Sequence, residues 1–490
     1  PKLREWVGEL NAAREALQQA NADLERKIAE RTLDLSASNR LLQAEVRERE
    51  QTEANLRQAQ DGLVQAGKLR WDDPVIRHLL QFRMHDPWVT REIQVRDLLI
   101  HNSGLGPGAG DLMLWPEPNH FTREDVVAGL AHLKPLHSFR SRYAYDNTLY
   151  IVAGEVAAAA GGASYEELME REVFAPLGMS RCEAGGFDRD AVGDVAQPHR
   201  YVSGRNVVYR EDATIVDTVP MAAAGGVRCS LEDMLVWTRM WLQPAQHGLV
   251  DGHPWLSDAR RRELWTLHMP MPLGSRMREW DGSRFYGYGY GWRLNDAHGR
   301  LKVSHTGTLS GMYSALTLLP ELDAGFVMMT NGSGEDARTV LVQALSDLLV
   351  RPGGAMPVAA YAEVLQRERD GAPPARRAPD TSARTTIAAD DPAVPTGLYR
   401  DPWFGEVRLC PDPRGMVFAS AKSPTLTGLL MRLDGRMFVD WFDDSIGTDA
   451  WVEFTMDGDV AGMTMAKVDP QADFSYDFED LAFQRVGRCQ

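Results

Sequence analysis

Leucines recur at every seventh position in the first part of the chain, at Leu3, Leu10, Leu17 and Leu24. Other apolar residues occupy the second seam position of the same repeat: Val7, Ile28, Leu35, Leu42, Leu56 and Leu63. Apolar residues in alternating steps of three and four are typical of a coiled coil. Because one helix cannot bury such a stripe alone, we expect residues 1–66 to self-associate. A lone charged helix, or a partly disordered segment, is the alternative interpretation.

The charge and hydropathy of the chain exclude several classes of protein. Its 490 residues include 53 Lys and Arg against 69 Asp and Glu, a formal net charge of −16. No excess of cations is available to neutralise phosphates, so we expect no general binding to nucleic acid. The sequence has no run of about 18 apolar residues, so we expect no membrane span. No signal peptide follows Pro1, which predicts a cytoplasmic location for the chain as it stands.

The four cysteines lie far apart in the sequence, at Cys182, Cys229, Cys410 and Cys489. No two of them have the Cys-x-x-Cys spacing of a metal site or a redox pair. The spacing therefore predicts free buried thiols, with no metal site and no cofactor.

Residues 67–350 alternate stretches typical of helices with stretches typical of strands, separated by glycine and proline. IQVRDLLIHNSGLG (93–106) favours a helix that ends at a glycine-containing loop. FYGYGYGWRL (285–294) alternates aromatic residues with glycine, a pattern typical of an edge strand. Residues 301–332 have the pattern of three strands joined by two turns.

Helix starts are marked by serine residues in the same part of the chain. Ser164 precedes Glu167 by three residues, which predicts a capping box after an Ala-rich helix. Ser230 is expected to cap a further helix.

Two short motifs carry residue types that acyl-transfer chemistry uses. Tyr145-Asp146-Asn147 lies in an aromatic loop before the Ala-rich helix, and His305-Thr306-Gly307 lies on a predicted strand. Such chemistry needs a nucleophile, a base that activates it, and donors for the oxyanion.

These segments, in this order, resemble the superfamily of penicillin-binding proteins and class C β-lactamases, which are serine hydrolases. The resemblance covers roughly residues 67–350. It implies an α+β fold with an antiparallel sheet flanked by helices, a helical subdomain, and a site in the cleft between them. It also implies a small-molecule acyl substrate or a peptide: a β-lactam, a D-amino-acid peptide or an ester.

The resemblance assigns catalytic roles to Tyr145 and His305. Tyr145 would shuttle protons, and His305 would support it electrostatically. The residues alone leave other interpretations open: Tyr145 as a half-buried core aromatic, and His305 as a surface strand residue. Ser103, in HNSG, has no lysine three positions later, so we expect it to be a loop or cap residue and not a nucleophile.

Four residues are implied by the resemblance to bind substrate: Asn147, Thr306, Gly307 and Thr308. Asn147 would hold a substrate amide, although an asparagine there is also expected as an N-cap of the next helix. Gly307 would let its strand approach the substrate closely. The backbone N–H of Thr308 would be one oxyanion donor.

The nucleophile of this superfamily is the serine of a Ser-x-x-Lys motif, whose hydroxyl and ammonium lie one helical turn apart. No serine in the 490 residues has a lysine three positions later. In the family this motif precedes a stretch that matches GKLRWDDP, here Gly67–Pro74. A different sequence occupies the upstream place, so we expect the first strands and the nucleophile helix of the domain to be missing.

The upstream sequence LERKIAERTLDLSASNRLLQAEVREREQTEANLRQAQDGLVQAGKL (24–69) resembles the signalling helix of sensor histidine kinases. Neither a phospho-accepting histidine motif nor an ATP-binding kinase motif follows it. The tripeptide GKL ends the one sequence and begins the other, which predicts a fusion between them.

The last part of the chain has a different composition. Residues 351–394 are rich in Pro, Ala and Arg, which is typical of a linker, with a helix possible around AAYAEVLQRER. Residues 395–490 have short strands separated by the turns DPRG, LDG and MDGD. This part resembles the small lipocalin-like β-domain that is often appended to such hydrolases.

Together these features predict a β-lactamase-related serine hydrolase that is catalytically inactive because its nucleophile motif is absent. An active hydrolase with an unrecognised or partner-supplied nucleophile is one alternative. A coiled-coil-dimerised binding or signalling module without enzymatic activity is the other. Hydrolases of this kind are often exported, which leaves the location of the chain open.

Overall fold

The computed structural model of the chain describes Gln19 and residues 68–202, 205–208, 215–217, 219–309, 311–332, 334–371, 378–457 and 460–489. The chain divides into two compact units, Pro1–Lys68 and Leu69–Gln490. The coiled coil predicted for residues 1–66 lies outside the described residues, apart from Gln19. All helices and strands named below belong to the second unit.

The helices of the second unit are mostly short. They are α1 Pro87–Glu92, α2 Val95–Leu98, α3 Arg123–Gly129, α4 Thr148–Gly161, α5 Tyr165–Met169, α6 Ala175–Leu177, α7 Arg189–Val192, α8 Leu231–Leu242, α9 Pro244–His247, α10 Asp258–Leu264, α11 Ser275–Trp280, α12 Glu335–Val350 and α13 Val358–Asp370. Single 3-10 or π turns lie at Val75–Arg77, Asp111–Met113, Glu170–Phe174, Ala222–Gly226, Pro320–Leu322 and Phe478–Asp480. None of the described helices combines the length and the apolar composition that crossing a bilayer requires.

The strands fall into four two-stranded pairs, one open sheet and one closed sheet. They are β1 Cys182–Glu183, β2 Phe187–Asp188, β3 His199–Val202, β4 Arg205–Val208, β5 Ile215–Val216, β6 Arg228–Cys229, β7 Leu249–Val250, β8 His253–Pro254, β9 Met269–Pro270, β10 Tyr286–Tyr288, β11 Arg293–Ala297, β12 Arg300–Leu309, β13 Met312–Leu319, β14 Ala324–Thr330, β15 Thr385–Thr386, β16 Gly397–Asp401, β17 Gly405–Asp412, β18 Gly415–Ser420, β19 Thr427–Leu433, β20 Arg436–Trp441, β21 Ala450–Asp457, β22 Val460–Lys467 and β23 Ala482–Gly487.

Six antiparallel strands form the open sheet, in the order β14-β13-β12-β11-β10-β9. The three strands expected within residues 301–332 are β12, β13 and β14, which confirms that prediction. Alternate residues of β12 face opposite sides of the sheet. Val303 packs with Met240 and Trp241 of α8 on one side. Lys302, on the other side, reaches the carboxylate of Asp281 just after α11. The open sheet and the helices around it, residues 69–350, are called the sheet domain.

The helix starts follow the capping predictions. Ser164 accepts a hydrogen bond from the backbone N–H of Glu167, whose carboxylate accepts one in return from the N–H of Ser164, so the capping box is confirmed. Ser230 caps α8 in the same manner by accepting from the N–H of Asp233. The Ala-rich helix α4 ends at Gly161 and is capped by Gly162, whose φ of 69° is the left-handed geometry that glycine adopts without strain. The helix expected in the linker is α13.

Two stretches differ from their sequence-based expectations. Within residues 93–106 only α2 is helical, and the chain then turns at His101, whose φ of 57° is incompatible with a continuing helix. Residues 285–294 form parts of two strands and not one, because the chain bends at Gly291 (φ 74°) between β10 and β11. Strand β10 is also not an edge strand, since the short β9 pairs with its outer side.

The closed sheet is an eight-stranded antiparallel barrel made of β16 to β23. Each strand pairs with the next along the chain, and β23 closes the barrel by pairing with β16. The predicted all-β domain is therefore confirmed as a barrel. The turn LDG joins β19 to β20 with positive φ at both Asp434 and Gly435, as a tight two-residue hairpin requires. Buried aromatic rings fill the interior, among them Tyr399, Phe418 and Phe483.

The cysteines contradict the prediction of free thiols. Cys182 pairs with Cys229 across the strands β1 and β6, and Cys410 of β17 pairs with Cys489 near the end of the chain. None of the four is free. The two bonds join residues 47 and 79 positions apart, so the partners meet only in the folded chain. Among the described residues there is no cluster of three or more His, Cys, Asp or Glu that could hold a metal ion.

Helix α12 is oriented with polar side chains inward and leucines outward. Its buried residues are mostly polar and include Arg338, Gln343 and Asp347. Leu341, Leu345 and Leu348 are exposed, at the i, i+4 and i+7 spacing of one helix face. A soluble helix normally buries such a stripe. The outer face of α12 therefore has the composition of a surface that another element covers.

Candidate active site

The sheet domain holds Tyr145 in the loop before α4 through backbone hydrogen bonds on both sides of the residue. The N–H of Ala144 donates to the carbonyl of His101 (2.9 Å), and the N–H of Gly108 donates to the carbonyl of Tyr145 itself (2.8 Å). The Tyr145 ring lies 4.3 Å from the ring of His101, centroid to centroid. A tyrosine hydroxyl is protonated at neutral pH, and burial raises the pKa of Tyr145 further, so the hydroxyl is available as a hydrogen-bond donor.

Asn147 occupies the N-cap position of α4, but its side chain does not cap the helix. Its Nδ2 instead donates to Oδ2 of Asp111 at 2.8 Å, and both residues are buried. Burial raises the pKa of Asp111 well above its ordinary value. With Nδ2 engaged in this way, the amide oxygen of Asn147 is the atom left to accept a hydrogen bond from a ligand.

His305, Thr306 and Gly307 lie on the central strand β12, and Thr308 follows them on the exposed end of the strand. Gly307 is opposite Ser314 of β13. A Cβ atom at position 307 would lie 2.4 Å from Oγ of Ser314, so a side chain there would push Ser314 aside. Glycine therefore leaves Ser314 in place, and it also lets a ligand approach the strand closely.

The two motifs predicted from the sequence meet in the structure. The rings of Tyr145 and His305 lie 6.3 Å apart, centroid to centroid. Nε2 of His305 is hydrogen bonded to the hydroxyl of Tyr288 at 3.0 Å. Burial, with a smaller contribution from the nearby Arg293, lowers the pKa of His305 to about 3. His305 is therefore neutral at physiological pH and presents no positive charge to Tyr145.

Two arginines supply the positive charge around the His-Thr-Gly strand. Nη1 of Arg293, on the neighbouring strand β11, donates to Oγ1 of Thr306 at 2.9 Å. Nη1 of Arg338, on α12, donates to the carbonyl of Gly307 and to Oγ1 of Thr308, each at 2.7 Å. Neither arginine belongs to a sequence motif. Arg293 could have been predicted, because it lies on the strand that forms a hairpin with the His-Thr-Gly strand. Arg338 could not, because its helix reaches the strand only through tertiary packing.

His101 is a further residue that the motifs did not indicate. Its ring is fully buried and is surrounded by tyrosine rings at centroid distances of 4.3–5.5 Å: Tyr143, Tyr145, Tyr150 and Tyr288. Nδ1 accepts a hydrogen bond from the N–H of Asp146 at 3.1 Å. Burial lowers its pKa well below the ordinary value, so it packs as a neutral ring that supports the Tyr145 loop. Ser103, two residues further on, accepts from the N–H of Leu105 and is a loop residue, as expected.

A serine activated by a lysine does not occur among the described residues. Lys302, Lys422 and Lys467 are each ion-paired with a carboxylate. Lys68 and Lys134, which complete the set of lysines in the described ranges, are exposed. The site formed by Tyr145, Asn147 and the strand around His305, called the cleft below, thus contains a phenol, an amide, a neutral imidazole and two guanidinium groups.

An antiparallel sheet with flanking helices, and a cleft lined by Tyr-x-Asn and His-Thr-Gly motifs, define the class of β-lactamase-like proteins. Residues 61–348, more than half of the chain, match the family described as Beta-lactamase, and the chain belongs to that family. Residues 396–485 match a second family, described as a domain of unknown function (DUF3471). The predicted superfamily and the β-lactamase-like fold are confirmed.

Curated relatives are distant. The chain is 24% identical over 376 residues to the "Unguisins hydrolase ungD'" of Aspergillus campestris, covering 73% of this chain and 66% of that protein. It is 27% identical over 273 residues to "Penicillin-binding protein 4" of Amycolatopsis lactamdurans, covering 55% of this chain and 68% of that protein. The chain thus spans about two thirds of the length of each of these relatives.

Two further matches concern the fold and a short part of the sequence. The octameric penicillin-binding protein homologue from Pyrococcus abyssi aligns with 86% of this chain and 84% of its own, with a TM-score of 0.50 and 18% identity, which shows a shared fold. A stretch of 51 residues, 10% of this chain, is 51% identical to the "C4-dicarboxylate transport sensor protein DctB" of Pseudomonas aeruginosa and covers 8% of that protein.

Proposed function

We propose that this chain is a β-lactamase-family protein that binds an acyl compound in the Tyr145–His305 cleft without forming an acyl-enzyme. Two observations together carry the proposal. The second and third motifs of the family meet in one cleft, while no Ser-x-x-Lys sequence exists anywhere in the 490 residues. Binding groups are present, and the covalent route has no serine–lysine pair to begin it.

The proposed binding roles follow from the geometry of the cleft. Tyr145, a protonated phenol whose pKa burial raises further, donates a hydrogen bond to a ligand carbonyl. The amide oxygen of Asn147 accepts a ligand N–H, because its Nδ2 is engaged by Asp111. The strand from Thr306 to Thr308 offers backbone groups and two hydroxyls next to Arg293 and Arg338. An amide- or lactam-containing acyl compound matches this set of donors and acceptors.

The ligand class is proposed from the family alone. The relatives are named for the hydrolysis of unguisins and for the binding of penicillin. We propose a β-lactam, a D-amino-acid peptide or an ester as the class of ligand. Penicillins are the practical probe because they report both reversible binding and acylation.

Intact mass spectrometry tests the absence of acylation. The full chain is incubated with a fluorescent penicillin and, separately, with a fluorophosphonate. A penicillin-binding protein that has a Ser-x-x-Lys motif serves as the positive control. We expect reversible polarisation of the fluorescent penicillin and an unchanged protein mass. We expect Tyr145→Phe to weaken reversible binding by about fivefold, since one hydrogen bond to a ligand contributes about 1 kcal/mol. A serine that carries the mass of the probe would overturn the proposal.

We also propose that the sheet domain lacks elements that precede it in other family members. The exposed leucine face of α12 supports this, since a covering element is missing there among the described residues. Strand β14 supports it as well, because within the described ranges this strand is paired on one side only.

The proposed organisation is a coiled coil at 1–66, a partial hydrolase domain at 67–350, a linker at 351–394 and a lipocalin-like domain at 395–490. The strand number of the barrel supports its likeness to lipocalins.

A second candidate function is a signalling or binding module that the coil assembles. The identity of 51% to a sensor protein over 51 residues favours it. Light scattering on the full chain, and on a chain lacking residues 1–66, tests the assembly. We expect the full chain to have about twice the mass of a single chain, as a two-stranded coil requires, and the shortened chain to be monomeric. Equal association states of the two would contradict a role of the coil in assembly.

A further inference from the structure

The C-terminal barrel extends a loop into the cleft of the sheet domain. The loop, residues 473–477, lies between β22 and β23, and three of its side chains contact residues that surround Tyr145 and Asn147. Neither the sequence motifs nor the proposed binding roles include any residue of the barrel.

Asp477 fastens the loop to the sheet domain. Its two carboxylate oxygens accept hydrogen bonds from the backbone N–H groups of Gly110, at 2.6 Å, and Leu112, at 3.0 Å. Asp477 is buried, so these bonds are shielded from water. The position of the loop relative to the cleft is therefore fixed by a bidentate contact.

Phe474 forms an aromatic wall beside Tyr145. The two rings are in edge-to-face contact with centroids 5.7 Å apart. The loop also passes so close to Gly108 that a Cβ atom there would lie 2.7 Å from the Phe474 ring. Despite these contacts, 39% of Phe474 is exposed to solvent. A partly exposed phenylalanine held against the central phenol of the cleft presents its free face to whatever occupies the cleft.

Ser475 connects the barrel to Asn147 through a shared acceptor. Its Oγ donates to Oδ2 of Asp111 at 2.8 Å, and Nδ2 of Asn147 donates to the same oxygen at the same distance. Oδ1 of Asp111 is buried and has no hydrogen-bond partner among the described residues. Asp111 thus accepts from both domains through one oxygen, and the orientation of the Asn147 amide depends on that oxygen.

We propose that the barrel determines which ligands fit the cleft. Phe474 is the specificity-determining residue, because its ring limits the size of the group that can lie against Tyr145. Ser475 and Asp111 are positioning residues that keep the Asn147 amide oxygen turned toward the ligand. The inference rests on the proposed function for its class of ligand. The contact between Phe474 and Tyr145 does not depend on that class.

Competition binding with two penicillin probes tests whether the Phe474 ring limits the size of the ligand. The bulky probe is a fluorescent penicillin, and the compact probe is 6-aminopenicillanic acid, which lacks an acyl side chain. For Phe474→Ala we expect the affinity for the bulky probe, relative to the compact one, to rise by about three- to tenfold, because the ring no longer limits the space beside Tyr145. Phe442→Ala is the matched control, since Phe442 is an exposed phenylalanine of the same barrel. An unchanged ratio in Phe474→Ala would overturn the inference and leave the proposed function standing.

The positioning role of Ser475 predicts an equal loss of affinity for the two probes. We expect Ser475→Ala to weaken both by about fivefold, the value of one hydrogen bond, and Ser475→Thr to restore binding because it keeps the hydroxyl. Failure of the threonine variant to restore binding would show a packing role instead of a positioning role.

A measurement without ligand separates this inference from the proposed function. Hydroxyl-radical footprinting reports how accessible the Tyr145 ring is. We expect oxidation of Tyr145 to rise severalfold in Phe474→Ala and to stay unchanged in Phe442→Ala. If the wild-type chain binds neither probe, the proposed function fails and footprinting alone decides whether Phe474 covers Tyr145. Equal oxidation of Tyr145 in all three proteins would overturn the proposal that the Phe474 ring covers Tyr145.

Discussion

Replacing Lys302 with methionine is expected to lower the free energy of unfolding by about 3–5 kcal/mol, the usual cost of removing one partner from a buried ion pair. Lys302 is 7% exposed and Asp281 is 3% exposed. Their Nζ and Oδ2 atoms are 2.6 Å apart. Methionine has a similar length, so the change removes the charge with little change in packing.

The size of the effect depends on what remains around Asp281. Its carboxylate also accepts hydrogen bonds from Nδ2 of Asn295, at 3.1 Å, and Nε2 of Gln343, at 2.9 Å. These amides cannot neutralise a buried negative charge. The pair connects β12, which carries His305, to α11 and α12. Loss of Lys302 should therefore destabilise the strand on which the candidate site is built.

Urea denaturation followed by tryptophan fluorescence measures this prediction, because Trp280 is buried next to Asp281. Lys134→Met is the matched control, since Lys134 is exposed and its replacement should stay within about 0.5 kcal/mol of the wild type. Adding Asp281→Asn to Lys302→Met should recover part of the loss, because the uncompensated charge is then removed. A loss below about 1 kcal/mol for Lys302→Met would contradict a buried ionic interaction.

Local signals in the sequence predicted several helix starts, the three strands within residues 301–332 and the strands of the C-terminal domain. Ser164 and Ser230 cap helices because their hydroxyls act within three residues. The LDG turn fixes a hairpin because two adjacent residues take positive φ. Tyr145 and His305 were expected in one cleft only because a family resemblance joined two distant motifs. Nothing in their spacing requires it.

The missed contacts of the candidate site, and the disulfides, depend on contacts between distant parts of the chain. Ser475 and Asp111 share a hydrogen bond across 364 positions. Cys410 and Cys489 pair across 79 positions. No local pattern encodes such partners, since the same residues occur at similar spacing in chains that fold differently. Asn147 illustrates the limit: its position favours an N-cap, and the buried Asp111 competes for its side chain and prevails.

Asparagine in place of Asp146 is expected to stabilise the chain at neutral and alkaline pH. Asp146 is fully buried, and burial raises its pKa to about 7 from 3.8. Its Oδ1 accepts from the N–H of Thr148, at 3.0 Å, and from Oγ1 of Thr148, at 2.6 Å. Its Oδ2 has no partner among the described residues. The fold therefore favours the protonated acid, which an asparagine imitates in shape and charge.

The direction of the pH dependence follows from the raised pKa. Well below pH 3.8 the carboxyl is protonated in both the folded and the unfolded chain, and its contribution to stability is fully present. As pH rises to about 7, the unfolded chain loses the proton first, so stability falls by about 1.4 kcal/mol per pH unit. Over these three units the wild type loses up to about 4 kcal/mol that Asp146→Asn retains.

Thermal or urea unfolding at pH 4 and pH 8 measures the difference. We expect Asp146→Asn to match the wild type at pH 4 and to exceed it by up to about 4 kcal/mol at pH 8. Some pH dependence should remain in the variant, because burial also raises the pKa of Asp111 and Asp477. Asp390→Asn, at an exposed position, controls for the loss of one negative charge. If Asp146→Asn were no more stable than the wild type at pH 8, Asp146 would have to be ionised in the folded chain, with a compensating partner outside the contacts described above.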